Sequence, residues 1–229
     1  LNLYTMAQPL TTVNILPSAQ THQFSIIWLH GLGANGHDFE AIVPQLQLNN
    51  AAQTHFVFPN APSLAVTINN GMVMPAWYDI LEMSFEREVD CQGIESSSDL
   101  ITQLIHQEIA KGIAPKNILL AGFSQGGVIA LHAGLTFKDK LGGIIALSTY
   151  LPEPERLLAR RSDSNQHTPI FMAHGTVDPV VDITAAKSAF KTLKTLNYPI
   201  QWHEYTMEHS VCFDEIQAIS NFITHQFES

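Results

Sequence analysis

Short apolar runs recur along the chain and alternate with segments in which apolar residues repeat at a helical period. Six runs are rich in Ile, Val, Leu and Phe and show no polar alternation: FSIIWL (24–29), HFVFP (55–59), NILLAG (117–122), GGIIAL (142–147), PIFMAH (169–174) and IQWHEY (200–205). Strands that are buried on both faces have this pattern, and such strands belong to parallel sheets. We therefore expect a mostly parallel central sheet.

Helical periodicity fills the intervals between several of these runs. Helices are predicted over 95–111, 124–135, 182–196 and 213–227. A chain that alternates strand and helix in this way is typical of an α/β fold with helices on both faces of the sheet. Because the 229 residues contain no internal repeat and no linker, we expect a single domain over 1–229.

Two stretches interrupt the alternation. In PSLAVTINNGMVMPAWYD (62–79), the pair Asn70 and Gly71 lies between two β-like runs, which predicts a hairpin that leaves the main sheet. The second stretch, STYLPEPERLLARRSDSNQHTP (148–169), contains three prolines and is predicted to be a loop with about one helical turn. This loop is too short for a large cap domain, so a functional site beside it would be open.

The composition favours a large core and excludes some partners. Hydrophobic residues make up 45% of the chain and charged residues 14%, so disorder is not expected. The net charge is -10, and no Lys or Arg precedes Arg87. Such a surface repels phosphate backbones and anionic lipids, so we expect no nucleic-acid partner and at most transient membrane contact.

The N-terminal sequence and the cysteines indicate a soluble cytoplasmic protein. The opening residues, LNLYTMAQPL, lack the basic and apolar regions of a signal peptide. No apolar run approaches the roughly 20 residues that a transmembrane segment needs. The two cysteines, Cys91 and Cys212, cannot form a disulfide framework and are expected to be free thiols.

The sequence GFSQG (122–126) fits the G-x-S-x-G pattern of a nucleophile elbow. Taken alone the pattern is common, but here a predicted strand precedes it and a predicted helix follows it. Such a turn lifts the Ser124 hydroxyl out of the sheet, while Gly122 and Gly126 leave space for closely packed backbone. The sequence therefore predicts that Ser124 is a nucleophile.

A serine nucleophile needs a base, and the base needs an acid that orients it. Since function gathers at the carboxyl ends of parallel strands, we expect both groups in loops after the later strands. Asp178 follows PIFMAH, and Asp182 is a competitor whose position favours an N-cap role. Among eleven histidines, only His209 follows Asp178 in a loop at a strand end. The sequence lacks the paired histidines of zinc enzymes, so no metal is expected.

Two backbone N–H groups should stabilise the oxyanion in such a site. One is expected from Gln125, the residue after the nucleophile, and the other from Leu32 in the loop HGLG (30–33). Alternatively, HGLG is an ordinary glycine-rich turn.

An acyl chain would need an apolar groove beside the nucleophile. The predicted groove consists of six hairpin residues and two residues opposite them: Leu64, Val66, Ile68, Met72, Met74, Trp77, Leu151 and Val181. Methionine adapts to chains of different length, which suits such a wall. Alternatively, the hairpin residues only pack the hairpin onto the sheet. The exposed apolar hairpin is also a candidate surface for a homodimer.

The motifs HGLGANGHDF, PNAP, MPAWYDI, GFSQGG, HGTVDPVV and MEHSVC occur in this order. In this combination the chain resembles, over about residues 24–227, the acyl-protein thioesterase/carboxylesterase family, and in particular its bacterial carboxylesterases. The resemblance implies an α/β-hydrolase fold without a large cap domain and without a cofactor. It also implies the roles already assigned: Ser124, Asp178 and His209 as the catalytic triad, and Leu32 and Gln125 as oxyanion donors.

Members of that family hydrolyse carboxylic esters, lysophospholipids or acyl thioesters, so the resemblance implies a small ester, a lipid or an acyl thioester as substrate. We expect a serine carboxylesterase that works through an acyl-enzyme on Ser124. The alternatives are an acyl-protein thioesterase and a lysophospholipase. A non-catalytic binding module on the same fold is more remote, because such modules usually lack a triad member. A serine peptidase would need a cap for which the chain is too short.

Overall fold

A sheet of seven strands forms the centre of the computed structural model, which describes residues 9–82 and 88–228. The strands of the described residues are β1 (Thr12–Ile15), β2 (Phe24–Leu29), β3 (Thr54–Pro59), β4 (Ser63–Val66), β5 (Met72–Pro75), β6 (Ile118–Phe123), β7 (Gly143–Leu147), β8 (Ile170–Gly175) and β9 (Ile200–Tyr205). The order in the sheet is β1-β3-β2-β6-β7-β8-β9, and β4 pairs only with β5. All neighbours in the sheet are parallel except β1 and β3, so the predicted mostly parallel sheet is confirmed.

The six apolar runs predicted as strands are β2, β3 and β6 to β9, with bounds that differ by at most one residue. β1 is not predicted from the sequence pattern. This strand has four residues, lies at the edge of the sheet and is only half-buried for most of its length. A half-buried edge strand lacks the continuous apolar signal of its buried neighbours.

Six α-helices lie in the described part of the chain: α1 (Val43–Leu46), α2 (Cys91–Ala110), α3 (Gln125–Thr136), α4 (Pro154–Arg160), α5 (Ile183–Thr195) and α6 (Phe213–Phe227). Short 3-10 helices cover Glu40–Ile42, Ala51–Gln53, Thr67–Asn69, Pro115–Asn117 and Asp163–Asn165. The four predicted helices are α2, α3, α5 and α6. α2 begins before residue 95 because the Asp90 side chain caps it by accepting the Gly93 N–H at 2.9 Å.

The 148–169 loop contains more helix than the sequence predicts. α4 has seven residues, about twice the single turn that was expected. Pro154 begins the helix, and Glu155 lies in its first turn, where both residue types are favourable. The expectation that this segment forms no large cap still agrees with the structure, because α4 is its only α-helix among the described residues.

The helices cover both faces of the sheet and create two cores. Successive residues of β2 alternate between them, with Ile27 and Leu29 in one core and Ile26 and Trp28 in the other. The first core includes side chains from α2, α3 and α5, and the second includes side chains from α1 and α6. This two-sided burial explains why the strands read as unbroken apolar runs.

The hairpin of β4 and β5 leaves the main sheet, as the Asn-Gly pair predicts. The register pairs Val66 with Met72. Asn70 and Gly71 both have positive φ, 55° and 73°, which these two residue types tolerate better than others. At the base of the hairpin, Ala76 N–H donates to Pro62 O at 2.9 Å and closes it.

Within the described residues, none of the helices combines the length and the apolar composition needed to cross a bilayer. Both cysteines are described and are free thiols, as predicted.

Glu215 is a fully buried carboxyl group in the first turn of α6. Its Oε2 accepts the Cys212 N–H at 3.4 Å, and its Oε1 has no partner within the described residues. Burial raises the pKa of Glu215 to about 8. The folded protein therefore keeps this proton at neutral pH.

This proton makes stability depend on pH. The unfolded chain releases it above the ordinary pKa of 4.5, whereas the folded protein holds it to about pH 8, so stability falls as pH rises through this window. The slope is about 1.4 kcal/mol per pH unit. Glu215→Gln introduces a neutral group of the same shape, so we expect this pH-dependent loss of stability to disappear. The free energy of unfolding of the variant, relative to that of the wild type, should therefore rise from pH 4.5 to pH 7.5. Urea unfolding at both pH values, with the exposed Asp214→Asn as control, measures this. A difference in free energy of unfolding between Glu215→Gln and the wild type that stays constant with pH would contradict the buried proton.

Candidate active site

Ser124 lies in the turn between β6 and α3, with a backbone conformation that L-residues rarely adopt, φ 55° and ψ -120°. The turn is possible because a glycine lies two residues away on each side. A Cβ on Gly122 would lie 2.1 Å from Gly126 O, and a Cβ on Gly126 would lie 2.5 Å from Leu29 O. No side chain fits at either position, which is the physical reason for the sequence GFSQG.

Hydrogen bonds hold this turn against the neighbouring strand. The Ser124 N–H donates to Leu147 O at 2.9 Å, and Ser124 O accepts from Thr149 Oγ1 at 2.7 Å. Both partners lie at or just after the carboxyl end of β7. The Ser124 side chain therefore starts from a fixed position at this edge of the sheet.

Asp178 and His209 are joined by a hydrogen bond at the same edge. His209 Nδ1 donates to Asp178 Oδ2 at 2.7 Å. The other carboxylate oxygen accepts the N–H groups of Val180 and Val181 at 2.8 Å and 2.9 Å. Because the Asp178 side chain is fully buried, these three bonds hold it in one position. A neutral imidazole in this arrangement has its proton on Nδ1, so Nε2 is able to accept another.

His174 is fully buried beside this pair. Its Nε2 lies 2.8 Å from Val181 O and 3.4 Å from Asp178 Oδ2, and it donates to the carbonyl. Burial lowers the pKa of His174, so the ring is neutral near pH 7. Asp182, the competing carboxylate, caps α5 by accepting the Thr184 N–H at 2.7 Å, which is the alternative role that its position predicts.

Ser124, Asp178 and His209 all line one groove of about 1180 Å³. The His209 ring packs against the ring of Phe123, the residue before Ser124, with centroids 4.7 Å apart. Among the described residues, the Ser124 hydroxyl forms no hydrogen bond with His209. Catalytic contacts of this kind often tighten only when substrate binds. The groove thus brings together the three residues predicted as a triad.

Leu32 and Gln125, the predicted oxyanion donors, line the same groove. Within the described residues neither backbone N–H donates a hydrogen bond, so both are available to a ligand. Gly33 turns the loop with φ 77°, and its N–H donates to Pro75 O at 2.8 Å. This bond joins the loop to the end of β5.

The His30 side chain holds the loop that carries Leu32. His30 Nδ1 donates to Gly31 O at 2.7 Å, and Nε2 accepts the Ala61 N–H at 3.0 Å. Burial lowers the pKa of His30, which favours the neutral tautomer that these two bonds require. Nothing in the sequence HGLG shows what the ring contacts, so this role of His30 cannot be predicted from the sequence.

The profile of the phospholipase/carboxylesterase family matches residues 10–227. The chain belongs to this family. Acyl-protein thioesterase 1 of Saccharomyces cerevisiae is 42% identical over 224 residues, which cover 94% of this chain and 96% of the relative. Acyl-protein thioesterase 1 of Neurospora crassa is 39% identical over 221 residues, which cover 93% of this chain and 90% of the relative.

Solved structures agree with this family. The crystal structure of Arabidopsis thaliana SOBER1 matches with a TM-score of 0.85 and 31% identity, and covers 89% of this chain and 99% of that chain. The Bacillus cereus carboxylesterase matches with a TM-score of 0.76 over 96% of each chain, but its 17% identity shows the fold alone. The chain therefore has the predicted α/β-hydrolase fold and is an esterase or thioesterase. The motif resemblance points to bacterial carboxylesterases, but the two relatives named above are called acyl-protein thioesterases, so the comparisons do not support that narrower expectation.

Only part of the predicted acyl wall lines the groove. Ile68, Leu151 and Val181 line it. The remaining five predicted residues do not: Leu64, Val66, Met72, Met74 and Trp77. The groove also has apolar lining that the sequence analysis misses, in Ile80, Val89, Phe123 and Tyr150.

Side-chain direction explains this correction. Val66 and Trp77 are buried, so for them the packing alternative is right. Trp77 Nε1 also donates to His30 O at 2.8 Å, which gives it a structural role. Met72 and Val73 are 64% and 66% exposed and form the outer surface of the hairpin. The homodimer through this surface stays a prediction.

Gln125 joins the elbow to the hairpin through its side chain. Its Oε1 accepts the Trp77 N–H at 2.9 Å, and its Nε2 donates to Tyr78 O at 2.6 Å. The side chain is buried, so both bonds are protected from water. The residue that presents one oxyanion donor therefore also positions the chain that returns from the hairpin.

Gln125→Met keeps the backbone N–H and the side-chain length but removes both buried hydrogen bonds of the side chain, including the one that the Trp77 N–H donates. We expect the free energy of unfolding to fall by about 1–3 kcal/mol, because an unsatisfied buried group costs this much. We also expect kcat/KM for a long-chain ester to fall roughly tenfold as the groove wall shifts. Urea unfolding and ester kinetics measure both, with the exposed Gln107→Met on α2 as control. Equal free energies of unfolding and equal kcat/KM values in Gln125→Met and Gln107→Met would contradict the role of the Gln125 side chain.

Proposed function

We propose that this protein hydrolyses acyl thioesters and carboxylic esters through an acyl-enzyme on Ser124. The observation that carries the proposal is the Asp178–His209 hydrogen bond of 2.7 Å beside the Ser124 turn in one groove. The relatives named acyl-protein thioesterase 1 support a protein-bound acyl thioester as the substrate.

In the acylation step, His209 Nε2 takes the Ser124 hydroxyl proton while the serine oxygen attacks the acyl carbonyl carbon. Asp178 keeps Nδ1 in place and stabilises the imidazolium. The N–H groups of Leu32 and Gln125 donate to the oxygen that becomes negative, and losing one such donor typically costs about 2.7–4 kcal/mol of barrier lowering. The C–S or C–O bond then breaks, and His209 gives its proton to the leaving sulfur or oxygen.

Water completes the cycle. His209 takes a proton from a water molecule while the water oxygen attacks the acyl carbon bound to Ser124. The ester bond to the serine oxygen breaks, and His209 returns the proton to that oxygen. The free carboxylic acid leaves the groove.

The apolar part of the groove supports an acyl chain as the bound group. Ile68, Ile80, Val89, Leu151 and Val181 line it. Its volume, about 1180 Å³, exceeds the roughly 300–1,000 Å³ of ordinary small-ligand sites, so a long chain and part of its carrier fit together. A lysophospholipid would use the same lining and is the competing substrate.

Ser124→Ala removes the proposed nucleophile without changing the fold. We expect hydrolysis of S-palmitoylated peptide and of p-nitrophenyl esters from acetate to palmitate to fall by roughly 10⁴-fold or more. Ser188→Ala is the matched control, because Ser188 also lines the groove but lies on the regular helix α5. Residual turnover in Ser124→Ala close to that of the control would refute the proposed mechanism. Wild-type turnover of lysophosphatidylcholine above that of the thioester would instead favour the lysophospholipase.

The charge of the groove favours one kind of acyl carrier. Four carboxylates besides Asp178 line it: Asp38, Glu153, Glu155 and Asp182. No Lys or Arg of the described residues lines it. Such a field attracts a cationic carrier and repels an anionic one, and salt screens the effect.

Two S-acyl peptides with the same acyl chain but with Lys or Glu beside the cysteine test this field. We expect kcat/KM to be at least about tenfold higher for the Lys peptide at low salt, and the ratio to shrink at high salt. The double variant Glu153→Gln with Glu155→Gln should reduce the ratio. An equal rate for both peptides at low salt would show that the groove charge does not select the carrier.

A further inference from the structure

A second cluster of polar side chains lies at the opposite edge of the sheet. His22 precedes β2, His55 is the second residue of β3, and Glu108 lies in the last turn of α2. The register pairs Ser25 with His55, which brings these elements together. The cluster lies beside Ser25, and the oxyanion loop begins after Leu29. These two residues are about 13 Å apart along β2. None of these described residues lines the catalytic groove.

Nitrogen and oxygen atoms of this cluster converge on a small volume. His55 Nδ1 lies 2.9 Å and His22 Nε2 lies 3.6 Å from Glu108 Oε2. His22 Nε2 is also 3.0 Å from Ser25 Oγ and 3.0 Å from Phe24 O. Two ligands of a tetrahedral zinc ion, each about 2.1 Å from the metal, lie about 3.4 Å apart. The observed separations lie on both sides of this value, and the ligand atoms of the three side chains all lie within 4.8 Å of one another. An ion fits once these atoms adjust around it and the Ser25 hydroxyl, which donates to Glu108 Oε2, turns away from that oxygen.

The hydrogen bonds of His55 leave its Nδ1 facing a carboxylate. Asn14 Nδ2 donates to Thr12 Oγ1 at 2.9 Å, which turns Asn14 Oδ1 toward His55 Nε2 at 3.0 Å. Since an amide oxygen only accepts, His55 Nε2 carries a proton. His55 Nδ1 faces Glu108 Oε2 at 2.9 Å, so a metal ion that binds both atoms would replace the hydrogen bond between them.

This arrangement has the form of a metal site. A metal-bound histidine usually donates its remote N–H to an oxygen of the protein, as His55 does to Asn14. His22 Nε2 is similarly surrounded by oxygens, of Phe24, Ser25 and Glu108. Two imidazoles and one carboxylate are a ligand set that zinc accepts, with a fourth oxygen to complete the tetrahedron.

Burial and charge decide how an ion reaches the cluster. The side chains of Glu108 and His55 are 3% and 4% exposed, whereas His22 is 21% exposed, so His22 forms the entrance. Lys111 Nζ lies 2.6 Å from Glu108 Oε1 and is the basic side chain that faces the carboxylate. It bonds the other oxygen, whereas Oε2 accepts the Ser25 hydroxyl at 2.6 Å and faces both histidines. Its positive charge opposes a bound cation, but half of the side chain is in water, which screens it.

We propose that His22, His55 and Glu108 bind a divalent ion of the zinc type, with Phe24 O or Ser25 Oγ as a further ligand. The ion ties the end of α2 to β2 and β3 and has a structural role. No metal is expected from the sequence, because it contains neither paired histidines nor a His-Glu-x-x-His helix. These three residues lie dozens of positions apart and match no metal motif. Only the parallel register of β2 and β3 under α2 brings them together.

Metal titration of the full-length, chelator-treated protein tests this site. Cobalt(II) is the probe, because a tetrahedral site gives it intense visible bands, and zinc should then displace it. We expect one ion per chain, a higher Tm with zinc, and unchanged esterase activity, because the cluster lies away from the groove. A wild-type protein that takes up no cobalt would overturn the proposal, and such a result would leave the esterase proposal intact.

Three variants and one control locate the ion. His22→Gln and His55→Gln should weaken cobalt binding by roughly 100-fold or more and remove the visible bands. Lys111→Gln should tighten binding several-fold, because a neighbouring positive charge is lost. The control His37→Gln removes an exposed histidine that lies 2.8 Å from Glu40, and should bind as the wild type does. If both His22→Gln and His55→Gln bind cobalt as tightly as the wild type does, the proposed site is overturned. If His55→Gln fails to fold, the partly exposed His22→Gln carries the test.

Discussion

The close approach of α3 to β2 and β6 is the constraint on which the candidate site depends. Gly126 lies so near the carbonyls of Leu29 and His30 that any Cβ would overlap them, and Gly122 is similarly close to Gly126. This contact forces Ser124 into a strained turn. It also places the start of α3 beside the loop that follows β2. One steric requirement therefore positions both the candidate nucleophile and the two candidate oxyanion donors.

The parts of the fold and of the candidate site that could be predicted from the sequence are those marked by patterns of neighbouring residues. Buried parallel strands read as apolar runs, Asn70 and Gly71 predict the hairpin turn, and chain order selects Asp178 and His209 at strand ends. These features depend on residues close in sequence or on the general rule that sites lie at one edge of a parallel sheet. The α/β architecture follows from them, and the α/β-hydrolase fold follows from the resemblance that the motifs carry.

The features that sequence analysis misses depend on contacts between distant segments. The direction of Val66 and Trp77 is set by how the hairpin docks, and both face the core rather than the groove. The side-chain bonds of His30 and Gln125 reach residues about thirty to fifty positions away, so no local pattern reveals them. The cluster of His22, His55 and Glu108 is the extreme case, because three elements must assemble before the side chains meet.

Mass spectrometry of the acid-quenched protein during turnover tests most directly whether Ser124 carries the acyl group. Protein mixed with excess p-nitrophenyl palmitate and quenched within the first turnovers should gain the mass of one palmitoyl group. Peptide mapping should place that group on the peptide that contains Ser124, and Ser124→Ala should gain nothing. Turnover without any acylated protein, or acylation at another residue such as Cys91 or Cys212, would contradict an acyl-enzyme on Ser124.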